Sequence, residues 1–292
     1  MLRDVIRQAV LYSGVMMTVG GAVAGAEEAR TRAGKALGWR LGVQTYTFKQ
    51  VTFLEAVEKV KALGLTCVEG FAWQRISPDL KKMQLNHKAS PAALDQVRQA
   101  LRRSGVRLVN YYVSNFGKDK AEMREIFAFA KKMGIEAFVA EPKAETIGAL
   151  SKLADEYGVK VAIHNHPKRP KKPSYVNWDP DQVIKMIRGC GKNIGCCADT
   201  GHWIRSGLDP VACLKKYEGR LICLHMKDVD KNGHDVRYGT GSGNVKGQLT
   251  ELKRQGFRGM IAIEYESKKG DTEQDVRQCV AYYNRVVGEL TR

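Results

Sequence analysis

The chain has 292 residues, 43% of them hydrophobic, and 48 Lys and Arg against 31 Asp and Glu give it a formal net charge of +17. This composition excludes a disordered or collagen-like chain and fits one large globular domain. The excess positive charge invites a nucleic-acid reading, but Lys and Arg are spread along predicted helices beside acidic residues, as from Glu55 to Lys61 and from Lys120 to Arg124. The one dense run, Lys168 to Lys172, is broken by Pro170 and reads as a solvated loop, so no nucleic-acid partner is expected. A basic exterior suits acidic polysaccharide or an anionic membrane instead.

Arg3 and Arg7 precede an apolar run from Ala9 to Ala26 that ends in Ala24-Gly25-Ala26, with Glu27-Glu28 following. A positive start, a short apolar core and an A-x-A site mark residues 1–26 as a secretory signal peptide. The alternative is a retained anchor, for which Gly14, Gly20, Gly21 and Gly25 make a poor spanning helix. A periplasmic or secreted protein is therefore expected, with no stable membrane insertion after cleavage. Residues 27–38 read as a linker and 39–292 as the catalytic domain. The seven cysteines are odd in number and irregularly spaced; Cys67, Cys196, Cys197 and Cys223 fall inside predicted strands and read as buried thiols, not as a disulfide framework.

From Arg40 onward strand and helix signals alternate. Strand Arg40–Thr45 precedes a helix whose apolar positions Phe53, Leu54, Val57, Val60 and Leu63 keep the 3.6 period until Gly64. Strand Thr66–Glu69 leads by a long connection to helix Pro91–Arg103, with Ser90 at its N-cap. Strand Val106–Val113 pairs with helix Lys120–Met133, and Ala137–Ala140 with Ala144–Tyr157. Then come Val159–His164 with Pro180–Arg188, Ile194–Asp199 with Pro210–Tyr217, Leu221–His225 with Val245–Gln255, and Met260–Glu264 with Glu273–Leu290. Eight such units predict a (β/α)8 TIM barrel with its active site at the C-terminal ends of the strands. A doubly wound sheet fits less well, because no G-x-G-x-x-G follows the first strand.

Four apolar stretches of the second half each run into a residue that binds divalent ions: VKVAI into His164, NIGCCA into Asp199, RLICL into His225 and GMIAI into Glu264. Ends of four strands converge only in a ring. Two imidazoles and two carboxylates suit Mn, Zn, Fe or Co better than Ca or Mg, which prefer oxygen shells. One divalent ion is expected, Mn, Zn, Co or Fe.

The segments GVQTYTF, AIHNHP, CADTGHW, LHMKDV and IEYE, in that order from about Leu41 to the C-terminus, resemble the xylose isomerase-like barrels of the sugar phosphate isomerase/epimerase type. The resemblance implies one divalent metal, often Mn, held by a Glu, an Asp, a His and a second Glu, of which Asp199, His225 and Glu264 match the last three. His164, followed by Asn165 and His166, stands where the pattern has Glu, so an epimerase using two carboxylates is not simply implied.

The resemblance also implies that Glu264 serves as both ligand and base, and that His202 contacts substrate oxygens. Glu141 and Glu69, which close their strands, and Lys227, just past one, are further catalytic candidates; each has a structural alternative as a rim ion pair, Lys227 with Asp228. Lys143 lies just past another strand end. His166 reads as substrate-binding or as support for His164 or Asn165. Trp73 and Trp203, with Phe71, read as a floor for a sugar ring or as rim packing. Gly239 to Gly243 is the nearest thing to a phosphate loop and reads equally as a mobile loop, so a phosphorylated substrate is not expected.

The expected activity is a metal-dependent isomerase or epimerase acting by enolisation beside a carbohydrate carbonyl, with a 3-keto-glycoside lyase on the same site as the alternative. An endonuclease of the same superfamily would need further ligands for three zincs, and the chain has six His in all. A non-catalytic carbohydrate-binding barrel and a homo-oligomer both stay open.

Overall fold

The structure is a computed structural model that describes residues 34–80, 82–267 and 270–292. The expected signal peptide, and most of the expected linker, lie outside the described residues. Among the described residues no helix is long and apolar enough to cross a membrane.

Apolar runs buried on both faces are what a parallel sheet requires, and Ile194–Asp199 is buried at every position. The barrel strands are β1 (Trp39–Gln44), β2 (Cys67–Phe71), β3 (Arg107–Val113), β4 (Ala137–Ala140), β5 (Lys160–Ile163), β6 (Ile194–Asp199), β7 (Leu221–Met226) and β10 (Gly259–Ile263). They close in sequence order into a parallel barrel, β10 pairing with β1 from Trp39 opposite Gly259 to Val43 opposite Ile263. Trp39 fastens the seam by donating its indole N–H to the Phe257 carbonyl at 2.9 Å.

Around the barrel lie α1 (Phe53–Ala62), α2 (Pro91–Ser104), α3 (Lys120–Met133), α4 (Ile147–Tyr157), α5 (Pro180–Met186), α7 (Pro210–Lys216), α8 (Val245–Arg254) and α9 (Thr272–Leu290). Their apolar stripes pack on the outer face of the strands in one continuous core.

Inside, space is tight and side chains are small. One interior cluster joins Cys67, Val109, Met260 and Ala262, and another joins Val139, Ala162, Cys197 and Cys223. Gly42 on β1 is forced: a Cβ there would stand 2.5 Å from the Cys67 carbonyl oxygen and from Met260 Cε. The cysteines are free thiols, buried except Cys190, as the irregular spacing led one to expect.

The strand period of two fixes what stands above this layer. Two residues beyond Ala162, Cys197, Cys223 and Ala262 come His164, Asp199, His225 and Glu264; two beyond Cys67 and Val139 come Glu69 and Glu141. By that period all six share the side of the interior residue below them, toward the barrel axis.

Two elements depart from the sequence reading. A short helix α6 (Thr200–Arg205) follows β6 without a loop, because Asp199 acts as its N-cap and accepts from the His202 N–H at 2.8 Å. The segment after β7 is also structured: β8 (Asp228–Val229) and β9 (Asp235–Val236) form an antiparallel pair.

Gly239 to Gly243 is neither a phosphate cradle nor a loose loop. Its N–H groups are already satisfied by an internal carboxylate. Asp228 accepts from Gly239 N at 2.8 Å, Gly241 N at 3.0 Å and Gly243 N at 2.8 Å. A Cβ on Gly241 would stand 2.4 Å from Asp228 Oδ1, so the loop wraps this carboxylate closely. Asp228→Ala would orphan these three donors and the Val229 N–H, which Oδ1 also accepts at 3.0 Å, and is expected to lower unfolding stability by more than about 2 kcal/mol. Chemical denaturation measures it, and a change within about 0.5 kcal/mol of wild type would contradict this account.

Candidate metal centre

Ligand-capable atoms of His164, Asp199, His225 and Glu264 lie within 4.8 Å of one another, and all four residues are buried. His164 Nε2 is 3.6 Å from Asp199 Oδ2, and His225 Nδ1 is 3.1 Å from Glu264 Oε2. His164 Nε2, His225 Nδ1 and Asp199 Oδ2 are nonetheless buried without a hydrogen-bond partner. Buried polar atoms are rarely left this way. Atoms that approach closely without bonding each other, and converge on one point, fit a divalent cation with mixed nitrogen and oxygen donors.

The His225 imidazole is aimed by a carboxylate behind it, whereas His164 Nδ1 is buried without a hydrogen-bond partner. Glu69 Oε1 is 2.7 Å from His225 Nε2, and Gln44 Nε2 donates to the same oxygen at 3.2 Å. That contact places the Nε2 proton toward Glu69 and leaves Nδ1 for the ion. Glu141 Oε1 lies 3.6 Å from His164 Nδ1 and also takes the His166 N–H at 3.0 Å, His166 Nδ1 at 2.9 Å and the Tyr175 hydroxyl at 2.6 Å. Burial pushes the Glu141 carboxyl up, but His164 and His166 outweigh it and hold it below the usual carboxylate range. Burial likewise pulls the His225 imidazole down, while Glu69 and Glu264 outweigh it and keep a proton there in the ion-free chain. Ion binding must release that proton.

Lys227 is fully buried, its Nζ 2.9 Å from Glu264 Oε2, 3.3 Å from Asp199 Oδ2 and 2.7 Å from Glu266 Oε1. Burial pulls its ammonium down, yet these carboxylates outweigh it and hold it charged. Its side chain therefore turns to the metal cluster and not to Asp228, which serves the glycine loop; the expected Lys227–Asp228 ion pair is replaced by two separate devices. Lys227 is the ammonium among three carboxylates, Asp199, Glu264 and Glu266, whose remaining negative charge favours a divalent cation.

His202 stands at the mouth. Burial pulls its imidazole well below the ordinary value, with Lys227 acting the same way and Asp199 opposing. Arg205 Nη1 is 3.1 Å from His202 Nδ1. Since a guanidinium only donates, the neutral ring carries its proton on Nε2, which is 3.4 Å from Asp199 Oδ2.

A cavity of about 300 Å3 opens above the ligands, lined by Gln44, Tyr46, Trp73, Tyr112, His164, His166, His202, Glu264 and Glu266, among others. Phe71 and Trp73, with ring centroids 4.9 Å apart, and Tyr112 form its aromatic side. His166 lies over His202 at 5.0 Å with the rings nearly parallel.

Three expectations need correction. Trp203 does not reach the cavity: the helical rotation that turns His202 to the mouth turns its neighbour outward, where it is fully buried against Tyr217 at 5.2 Å. Glu69 does not end its strand and is not at the rim. It is fully buried within β2, 2.7 Å from His225 Nε2 and outside the cavity lining. Lys143 is exposed beside Glu145, turned from the site.

Residues missed by the sequence reading include Gln44, Tyr112, Tyr175 and Glu266. Glu266 had a usable signal, because it stands two past Glu264 in the same IEYE segment. Glu69→Gln is expected to weaken ion affinity by roughly 10- to 100-fold, as loss of such outer carboxylates does; competition with a chelator measures it. Wild-type affinity would remove Glu69 from the site.

A sequence model of the xylose isomerase-like TIM barrel matches residues 57–285. The rhizopine catabolism protein MocC of Rhizobium meliloti is 26% identical over 184 residues, 57% of this chain and 54% of that protein. An inosose dehydratase of Lacticaseibacillus casei is 22% identical over 273 residues, 79% of this chain and 87% of that protein. The chain spans about half the length of the first curated relatives it matches, 49% and 54%.

Among solved structures, an uncharacterised protein of Parabacteroides distasonis is 33% identical, with a TM-score of 0.69 over 85% of this chain and 99% of that one. IOLI protein with a bound zinc atom shares the fold at 18% identity and a TM-score of 0.67, over 86% and 98% of the two chains. Matched by the family's sequence model over most of its length and closed into an eight-stranded parallel barrel, the chain belongs to the xylose isomerase-like TIM barrel family.

Proposed function

We propose that this chain is a divalent-metal enzyme that moves a proton on the carbon beside the carbonyl of a sugar or a related cyclic polyol ketone. The observation that carries the reading is Glu264. It is one of four converging ligand candidates and also lines the cavity, so a single carboxylate reaches both ion and substrate. Its Lys227 and His225 contacts both engage Oε2, which leaves Oε1 for a substrate proton. Bound at this site, a divalent ion supplies Lewis acidity that makes the neighbouring C–H acidic. His202 offers an Nε2–H to a substrate oxygen, and the Phe71, Trp73 and Tyr112 side takes the apolar face of a ring. Mn is the ion proposed, and the same donors suit Zn, Co or Fe.

Return of the proton to carbon makes an isomerase or epimerase. Loss of a β-substituent makes a lyase or dehydratase, and that second reading is supported by His164, which by the resemblance in sequence stands where the family's epimerases carry a second carboxylate. The inosose dehydratase relative and the structural likeness to D-psicose 3-epimerase, at 15% identity and a TM-score of 0.67, represent the two outcomes. An endonuclease is disfavoured because, among the described residues, the second ligand-like cluster, Glu141, His164 and His166, shares His164 with the first.

The test is to incubate Mn-loaded protein in deuterium oxide with free ketoses, inososes and 3-keto-glycosides. Solvent deuterium beside the carbonyl, in product or recovered substrate, is the expected result. Turnover of any of these substrates that leaves every carbon-bound hydrogen unexchanged would replace enolisation with hydrolysis or hydride shift.

Export is part of the proposal, on the sequence of residues 1–26 alone. The mature chain is expected to begin at Glu27. N-terminal sequencing decides it, and an intact Met1 in envelope-free cytosol would refute export.

A further inference from the structure

A second, larger cavity adjoins the one over the ligands. It has a volume of about 710 Å3 and lies beside the 300 Å3 cavity, with His202 and Glu266 lining both. None of the four ligand candidates lines it. Its walls are built and braced. Arg205, on α6, donates to Asp235 Oδ1 at 2.6 Å and to the Gly233 carbonyl at 2.9 Å. Asp235 Oδ2 accepts the Glu266 N–H at 2.9 Å, and Tyr265 donates its hydroxyl to Asp275 at 2.8 Å. The β8–β9 pair that forms one side is pinned by Tyr238, whose hydroxyl donates to the Met226 carbonyl at 2.7 Å.

Groups of both signs line this space: the guanidinium groups of Arg205 and Arg237 and the carboxylates of Asp230, Asp235, Glu266 and Asp275, with the imidazole of His234 among them. A site for an anion would show cations alone, and a site for an apolar group would show neither. Paired donors and acceptors at many angles match a neutral group rich in hydroxyls, each of which both gives and takes a hydrogen bond.

We propose that this chamber is a second subsite, which holds a neutral hydroxylated unit joined covalently to the ring that reaches the metal centre. The preferred substrate is then a glycoside or another extended ketose, not a free monosaccharide. This rests on the reading of the metal centre as a carbohydrate site. The common wall is the reason the two cavities act together: a unit linked through an oxygen beside His202 and Glu266 extends from one into the other.

Zinc-loaded full-length protein is titrated with D-fructose and with three disaccharides that end in the same ketose, lactulose, maltulose and isomaltulose. Saturation-transfer NMR then reads each ring separately. The expected result is contact to the second ring, and at least one disaccharide bound about tenfold tighter than fructose. Val236→Trp narrows the chamber from β9, where an aromatic suits the strand, and Arg237→Ala removes a cation from its wall. With zinc content as the control for folding, both variants are expected to bring the disaccharide-to-fructose affinity ratio down to about one.

Fructose contact with silent second rings in all three disaccharides overturns the second subsite alone, as does an unchanged ratio in both variants. Loss of contact to every sugar, with zinc bound, overturns the carbohydrate reading of the metal centre and the subsite with it.

Discussion

Asp199→Asn protein purified without chelator is expected to carry far less than the wild type's load of about one divalent ion per chain, and turnover should fall in step. Asparagine is the sharper replacement than alanine. Asp199 has two oxygens in different settings: Oδ1 caps α6 through the His202 N–H, and Oδ2 is buried without a hydrogen-bond partner among the ligand candidates. Asn keeps the cap, whose loss in Asp199→Ala costs about 1 kcal/mol, and removes the charge. His225→Ala is the companion test and carries a larger structural cost. It strips the fully buried Glu69 of its 2.7 Å partner, a break of the kind that costs about 3–5 kcal/mol. Metal analysis after gel filtration, with circular dichroism to confirm the barrel, reads both. Saturating ion should also raise the melting temperature of wild type, since free ion at 100 times Kd adds about 2.7 kcal/mol. Full occupancy in both variants would move the ion elsewhere.

Glu264→Gln should reduce turnover by at least roughly 100-fold, the usual contribution of a general acid/base group. The amide keeps a neutral oxygen for the ion and loses the base, so ion affinity should drop less than in Asp199→Asn. It also sets an N–H2 group near the Lys227 ammonium, now 2.9 Å from Glu264 Oε2, which favours the rotamer that keeps oxygen toward Lys227. Steady-state kinetics and deuterium exchange at the carbonyl-adjacent carbon should fall together. Wild-type exchange in Glu264→Gln would assign the base to another group.

The barrel was legible because its strands are uniform apolar runs and its helices keep a clean 3.6 period. His164, Asp199, His225 and Glu264 were legible for a related reason: each is the first chemically active residue after such a run. Trp203 misled because nothing in the sequence signalled that a helix starts at Asp199 itself, and one residue of helical rotation decides whether a side chain meets substrate or core. Glu69 misled because the strand continues past it to Phe71, so a residue read as an end is an interior one. Asp228 and the glycine loop were beyond sequence reasoning. Three N–H groups and the carboxylate that fills them are 11 to 15 residues apart, and only the fold of β8 and β9 brings them together.

Asp199 and His225 are direct partners across β6 and β7, and His225 pairs in turn with Ala262, two residues before Glu264. The spacing of these donors is thus set by strand register, the least adjustable dimension of a parallel barrel, whereas Trp73 of the aromatic side and the β8–β9 wall lie outside the barrel strands. Ion affinity and substrate choice are for that reason separable traits. A lineage, or a designer, can exchange the loop from Asp228 to Gly243 as a unit, provided its own carboxylate travels with it, and acquire a new substrate while the metal chemistry is inherited unchanged.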